Sequence, residues 1–275
     1  MMALPVITLL LAVAPVPAGA FWSSDMEKED KALLLNLGAG AVALGWGVWS
    51  WDWGESGPRF QDEGWFGRET NEGGADKIGH AWSAYALSHV FARQYQQWGY
   101  TQSDAARYGA LSSTGIMGLI EVGDAFTDQY GFSYQDMLFN VAGAATGYLL
   151  WEYPEIARKV DFRVEYDPFI GGELQPDIFT DYKRLKYLIA LKADGFDAIE
   201  NPILKGLELH FGFYARGYDD SDRVLPDRDG RRQHLYVGIG LNLTRLLSPH
   251  VNVGGVFHYI QPPYTYISHD WRIDR

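Results

Sequence analysis

The 275-residue sequence predicts an α+β protein: an N-terminal antiparallel helical bundle followed by a C-terminal antiparallel β-sheet. Three observations carry this. Between Asp76 and Tyr153 lie three apolar stretches of helical length joined by short links. After Pro154 the pattern changes to apolar/polar alternation over about ten residues at a time, and it repeats. The 31 glycines, 10 Trp, 17 Tyr and 14 Phe have the density of glycine-kinked β-structure and of the aromatic belts at membrane interfaces. A net charge of -12 and a pI near 5.0 exclude nucleic acid as the main partner, because phosphate binding needs a basic surface. Cysteine is absent, which removes disulfides, thiol nucleophiles, cysteine-ligated zinc or iron–sulfur sites, and the lipidated cysteine of a lipoprotein.

The elements follow in order. Leu4 to Val16 is an apolar run, and Pro17-Ala18-Gly19-Ala20 after it supplies the small residues of a cleavage site. This predicts a signal peptide over residues 1–20, a mature chain from Phe21, and export to the periplasm or outer membrane of a Gram-negative-type bacterium. No Lys or Arg precedes the run, a departure from the usual signal. A helical bundle is then expected over 21–160 and a sheet region over 161–275. Ala32 to Trp51 carries no charge over a length that spans a bilayer as a helix. Trp46, Trp49, Trp51 and Trp53 gather at one end, as interface aromatics do, while the glycines and alanines equally suit close packing in a bundle. Gly54 to Ala75 is turn-rich, and in it Phe60 to Phe66 sets apolar rings beside Asp62 and Glu63. Asp76 to Gln97 reads as a helix ended by Gly99. Asp104 to Val122 is a second with Ser103 as its N-cap, and Ser133 to Tyr153 a third, stopped by Pro154.

These helices carry polar residues at helical spacing. Asp76 and His80 share a face, as do Glu121 and Asp124. Asp136, Asn140, Gly143 and Gly147 form one stripe, polar at one end and open to a neighbouring backbone at the other. Asp76 also fits an N-cap, and Ser133-x-x-Asp136 is close to a capping box. Glu121 closes the apolar run Gly115 to Ile120, where a solvated carboxylate is not expected, and Lys77 is the expected charge partner in a structural ion pair. The candidate catalytic residues are therefore His80, Asp76 and Glu121, within a polar cluster that adds Lys77, Asp124, Asp136 and Asn140. The cluster is expected to converge between the helices. Carboxylates outnumber histidines in it, so a bound metal would be a hard cation rather than zinc; the sequence names no cofactor.

The strings Gly73-Gly74-Ala75-Asp76-Lys77-Ile78-Gly79-His80-Ala81, Gly118-Leu119-Ile120-Glu121-Val122-Gly123-Asp124 and Phe132 to Gly143 resemble an uncharacterised, YfiM-like bacterial family of predicted periplasmic or outer-membrane lipoproteins. The order Asp-Lys-x-x-His, Glu, Asp-x-x-x-Asn-x-x-Gly is similar, more distantly, to the VanZ-like membrane proteins. The resemblance covers roughly Asp62 to Trp151. It implies an envelope location and no particular reaction, and this chain departs from the lipoprotein members in having no cysteine to acylate.

In the second half, Lys186 to Ala193 reads as a strand. Leu207 to Tyr214, Leu235 to Thr244 and Val251 to Tyr259 each alternate with period two, and Asp219 to Arg232 is a long hairpin loop. Apolar residues alternating with glycine or polar ones over ten positions also mark a transmembrane β-strand, but single-chain barrels start at eight strands and only four or five are countable here. The sheet therefore lays one face on helix or lipid, or closes by homo-oligomerisation. No Gly-x-Ser-x-Gly elbow, phosphate loop or His-Glu-x-x-His occurs. The readings are an outer-membrane-associated envelope protein with a structural, assembly or lipid-contacting role, a lipid- or envelope-processing enzyme using His80 as general base, or a small-ligand module.

Overall fold

The structure, a computed structural model, describes residues 25–170, 180–218, 230–247 and 255–273. The predicted signal peptide, the start at Phe21 and most of the Asp219 to Arg232 loop lie outside them. The chain forms two units. Among the described residues, the helical unit comprises those up to Gly64 together with Ser83–Glu152, and the sheet unit comprises Trp65–Trp82 together with the chain from Tyr153 onward.

Among the described residues four long helices appear: α1 (Lys28–Ser50), α2 (Ala75–Gln97), α3 (Gln102–Asp124) and α4 (Tyr134–Glu152). The boundary between units falls within α2, after Trp82. Gly99, at φ 88°, ends α2 where a side chain would be strained. The cap of α3 is Thr101, not Ser103: its Oγ1 accepts the Asp104 N–H at 3.1 Å, which starts the helix earlier than expected. Ser133 caps α4 as read, accepting the Asp136 N–H at 3.2 Å, and Pro154 stops it. The core of this unit gathers Phe91, Ala92, Tyr95 and Ala105, with Ala84, Met117 and Ala144 in a second cluster. The stripe Asp136, Asn140, Gly143 and Gly147 is buried along its length. At Gly147 a Cβ would collide with the Ser88 hydroxyl, so the small residue is what lets the two helices meet.

The sheet unit contains α5 (Pro154–Ala157), β1 (Val160–Tyr166), β2 (Leu185–Lys192), β3 (Leu207–Arg216), β4 (Arg232–Leu241), α6 (Leu243–Leu247), β5 (Ile260–Gln261) and β6 (Tyr266–Arg272). They make one six-stranded sheet, in the order β5-β1-β2-β3-β4-β6. All pairs are antiparallel except β1 with β5, where Val164 faces Ile260 in parallel. Two expected strands change. β4 stops at Leu241 because the Asn242 side chain accepts the Arg245 N–H at 3.0 Å and turns the chain into α6. In the stretch 251–259, of which 255–259 are described, Val256–His258 form a 3-10 turn rather than a strand.

Connectivity bends this sheet. β5 and β6 lie on opposite edges, yet only residues 262–265 join them. Six flat strands would hold their edges about 24 Å apart at ~4.8 Å per step. The five Cα steps from Gln261 to Tyr266 reach at most about 18 Å. The sheet must therefore curl. Contacts across its concave side agree: Lys186 on β2 donates to the Tyr266 hydroxyl on β6 at 3.1 Å, and Arg163 on β1 reaches over β2 to Glu208 on β3 at 2.6 Å.

Candidate functional site

The sequence-predicted residues divide between the units. In the sheet unit, Gly73 and Gly74 turn the chain into α2 at φ 60° and 83°, conformations that favour glycine. Asp76 then stands second in the helix rather than at its cap. Lys77 is fully buried, its Nζ 2.6 Å from Asp76 Oδ2, and the carboxylate sits in the first turn, where the helix dipole favours it. His80 is half-buried one turn further on. In the helical unit, Glu121 is buried near the end of α3 and accepts the Asn140 amide at 3.2 Å. Asp124 accepts the Trp53 indole N–H at 2.8 Å, and Asp136 is buried in the first turn of α4. The Glu121–Asn140 pair joins α3 to α4.

A second set of buried charges escaped the sequence reading. On β1 the residues Asp161, Arg163 and Glu165 all face the concave side of the sheet, with Lys186 and Lys192 on β2 and Glu208 and His210 on β3. Arg163 gives two parallel bonds to Glu208, at 2.6 and 2.8 Å, one to Gln261 at 3.0 Å, and another to Asp161. Such a fork-to-fork pair fixes geometry as well as charge. Lys192 donates to Asp161 at 2.6 Å, and the partly exposed His258 meets the same carboxylate oxygen at 3.0 Å. Burial by itself raises the Asp161 pKa, but the His258 hydrogen bond and the charges of His258, Arg163 and Lys192 outweigh it and hold the carboxyl at about 2. Glu208 is lowered in the same way: burial opposes ionisation, and His210 and Arg163 overcome it.

Two glycines make room for this layer. A Cβ at Gly240 would run into the His210 ring, and one at Gly212 into the Tyr236 ring. The alternation Glu208-x-His210 and Asp161-x-Arg163-x-Glu165 was visible in the sequence, and it was the signal available.

The opposite, convex face of the sheet is largely apolar, with Gln233 and His269 among its few polar side chains. Its lower part is covered by residues 65–82: the Phe66 ring meets Phe213 edge-on at 5.8 Å, and Gln233 donates to the Phe66 and Gly73 carbonyls at 2.7 and 2.6 Å. Beyond that cover, Phe211, Leu235, Ile239, Ile267 and Trp271 stay exposed, Ile239 at 60% and Ile267 at 84%. The usual polarity of a half-buried antiparallel sheet is thus inverted, with charges inside and apolar side chains outside.

Residues 62–152, about a third of the chain, match a family described as predicted periplasmic lipoproteins (DUF2279). That description and the apolar amino-terminal helix support export of the chain to the periplasm. A search of curated proteins and a search of solved structures each return no match.

Proposed function

We propose that the protein is a structural, lipid-contacting component of the cell envelope, held at the outer membrane by the convex face of its sheet. The observation that carries this reading is the inverted polarity: a filled, ion-paired concave side and a convex side of exposed isoleucine, leucine, phenylalanine and tryptophan. Exposed apolar area of this kind marks a lipid or protein contact. The chain has no cysteine for the acyl anchor its matched family is named for, so attachment must come from protein surface. An environment-sensitive fluorophore on Ile267→Cys, in this cysteine-free background, should emit as in hydrocarbon and be quenched by nitroxide lipids in vesicles carrying the full-length protein. The same probe on the exposed Glu200→Cys should emit as in water. Water-like emission from both positions sinks the reading.

A second reading is a lipid- or envelope-processing activity within the stretch that matches the family, with His80 as general base and Asp76, one turn earlier on the same helix, orienting it. What favours it is that Asp76, Lys77, Glu121, Asp136 and Asn140 are all buried and all lie inside the family match, which leaves the sheet out. Metal and lipid analysis of the purified protein, compared with His80→Ala, tests it: a ligand lost in the variant supports the site, and identical contents oppose it.

A further inference from the structure

We infer that α1 crosses a lipid bilayer and anchors the protein there, with the outward faces of α3 and α4 in the same hydrocarbon. The inference shares only the membrane setting with the lipid-contact reading of the sheet and stands on separate residues.

One side of α1 is committed to the helical unit. Ala32, Leu35 and Ala39 pack against the Phe91 and Tyr95 cluster, Asn36 donates to the Tyr95 hydroxyl at 2.6 Å, and Gly47 lies against Trp53. The remaining side is exposed from Leu33 to Trp49, with Leu37 at 59%, Val42 at 70% and Val48 at 64%. Every exposed residue on it is leucine, valine, alanine, glycine or tryptophan. In a soluble bundle that side carries the charges, and a helix apolar all round is either buried or in a membrane. Only Gly47 of α1 is buried, so the first alternative does not apply.

Length and flanks agree. The uncharged run of α1 rises about 30 Å at ~1.5 Å per residue, the thickness of a hydrocarbon core. At its C-terminal end Trp46 and Trp49 meet edge-on at 5.3 Å and Trp51 and Trp53 lie 5.6 Å apart. At its N-terminal end the Lys28 ammonium sits 4.7 Å over the Tyr100 ring, which in turn packs on Tyr95 and Tyr108. Aromatic groups at both ends of an apolar segment are the signature of two membrane interfaces. The neighbouring helices continue the surface: Leu111 and Val122 on α3, and Leu138, Val141 and Leu149 on α4, are exposed.

The cysteine-free chain allows a direct test in membranes carrying the full-length protein. Val42→Cys should react with a membrane-impermeant maleimide about tenfold or more slowly than Glu200→Cys, because hydrocarbon excludes the water that a thiolate needs. Detergent should abolish the difference. Glu29→Cys and Ser50→Cys, at the two ends of the helix, should label from opposite sides of sealed vesicles. Val42→Cys labelling at the control rate, or both ends labelling from one side, overturns the inference. Ile267→Cys is read in parallel: its protection with Val42 open to reagent removes the anchor and leaves the sheet reading standing, and the reverse pattern does the opposite.

Discussion

Replacing Arg163 with methionine removes the charge at the centre of the concave face while keeping most of the side chain's volume. Asp161 still has Lys192 and His258 within 2.6 and 3.0 Å. Glu208 loses both strong bonds and keeps His210 at 3.2 Å, so the cost falls on Glu208. Breaking a buried pair from one side costs about 3–5 kcal/mol, because the remaining charge stays buried. For a unit of this size that lowers Tm by on the order of 10 °C. The loss depends on pH with a definite sign. In the native protein the Glu208 pKa is depressed, so its contribution is present above the ordinary carboxylate range and is lost as pH falls through the folded value. Without Arg163, burial dominates and moves Glu208 upward, so protonation relieves the variant as acid weakens the native protein, and the two stabilities converge. Denaturant unfolding followed by near-UV circular dichroism at pH 7 and near pH 4 measures both effects. Arg163→Met/Glu208→Gln should lose less than the two single variants together. A loss under about 1 kcal/mol, strict additivity, or a gap that widens in acid would refute the argument.

Two further outcomes test buried carboxylates, one in each unit. The stability that Asp161 contributes should be present above the ordinary aspartate range and disappear as pH falls to about 2, and His258→Ala should move acid unfolding to higher pH; an unchanged acid midpoint would show that the His258 contact carries no weight. In the helical unit, Glu121→Ala should destabilise by roughly 2–5 kcal/mol, since it removes a buried carboxylate bonded to Asn140, and Glu121→Gln should cost less because the amide keeps a hydrogen-bonding oxygen; equal losses would mean the charge itself is what matters.

The helices were legible because their signals are local. Gly99 and Pro154 stop helices, Ser133 caps one, and the stripe from Asp136 to Gly147 has a single period. β3 was equally plain, with ten residues of alternation. β6 was not, because Ser268, His269 and Asp270 interrupt its centre, and it becomes a strand through its register with β4, Tyr236 facing Asp270. β5 is two residues long and has no pattern to read. The hardest feature was which side of each strand faces inward. Alternation fixes that two faces exist and not which one is covered, and only the pairing of Arg163 with Glu208 across β2 makes the charged side the inner one. Membership of the sheet-unit core by residues 65–82 was likewise invisible, since it rests on Gln233 reaching backbone carbonyls about 160 positions away in sequence.

The four-residue bridge from β5 to β6 has a consequence for assembly. β1 receives its second neighbour from Ile260 and Gln261, about a hundred residues later in the chain, and β6 closes the far side immediately afterward. The hairpins of β1 to β4 are able to form early, but their charged interior stays open to water until that late segment docks. During secretion the unfinished sheet therefore keeps two raw edges, templates for pairing with other chains, until its last strands arrive. A folding helper acting at that stage would need to recognise unpaired strand backbone rather than exposed hydrophobic side chains alone.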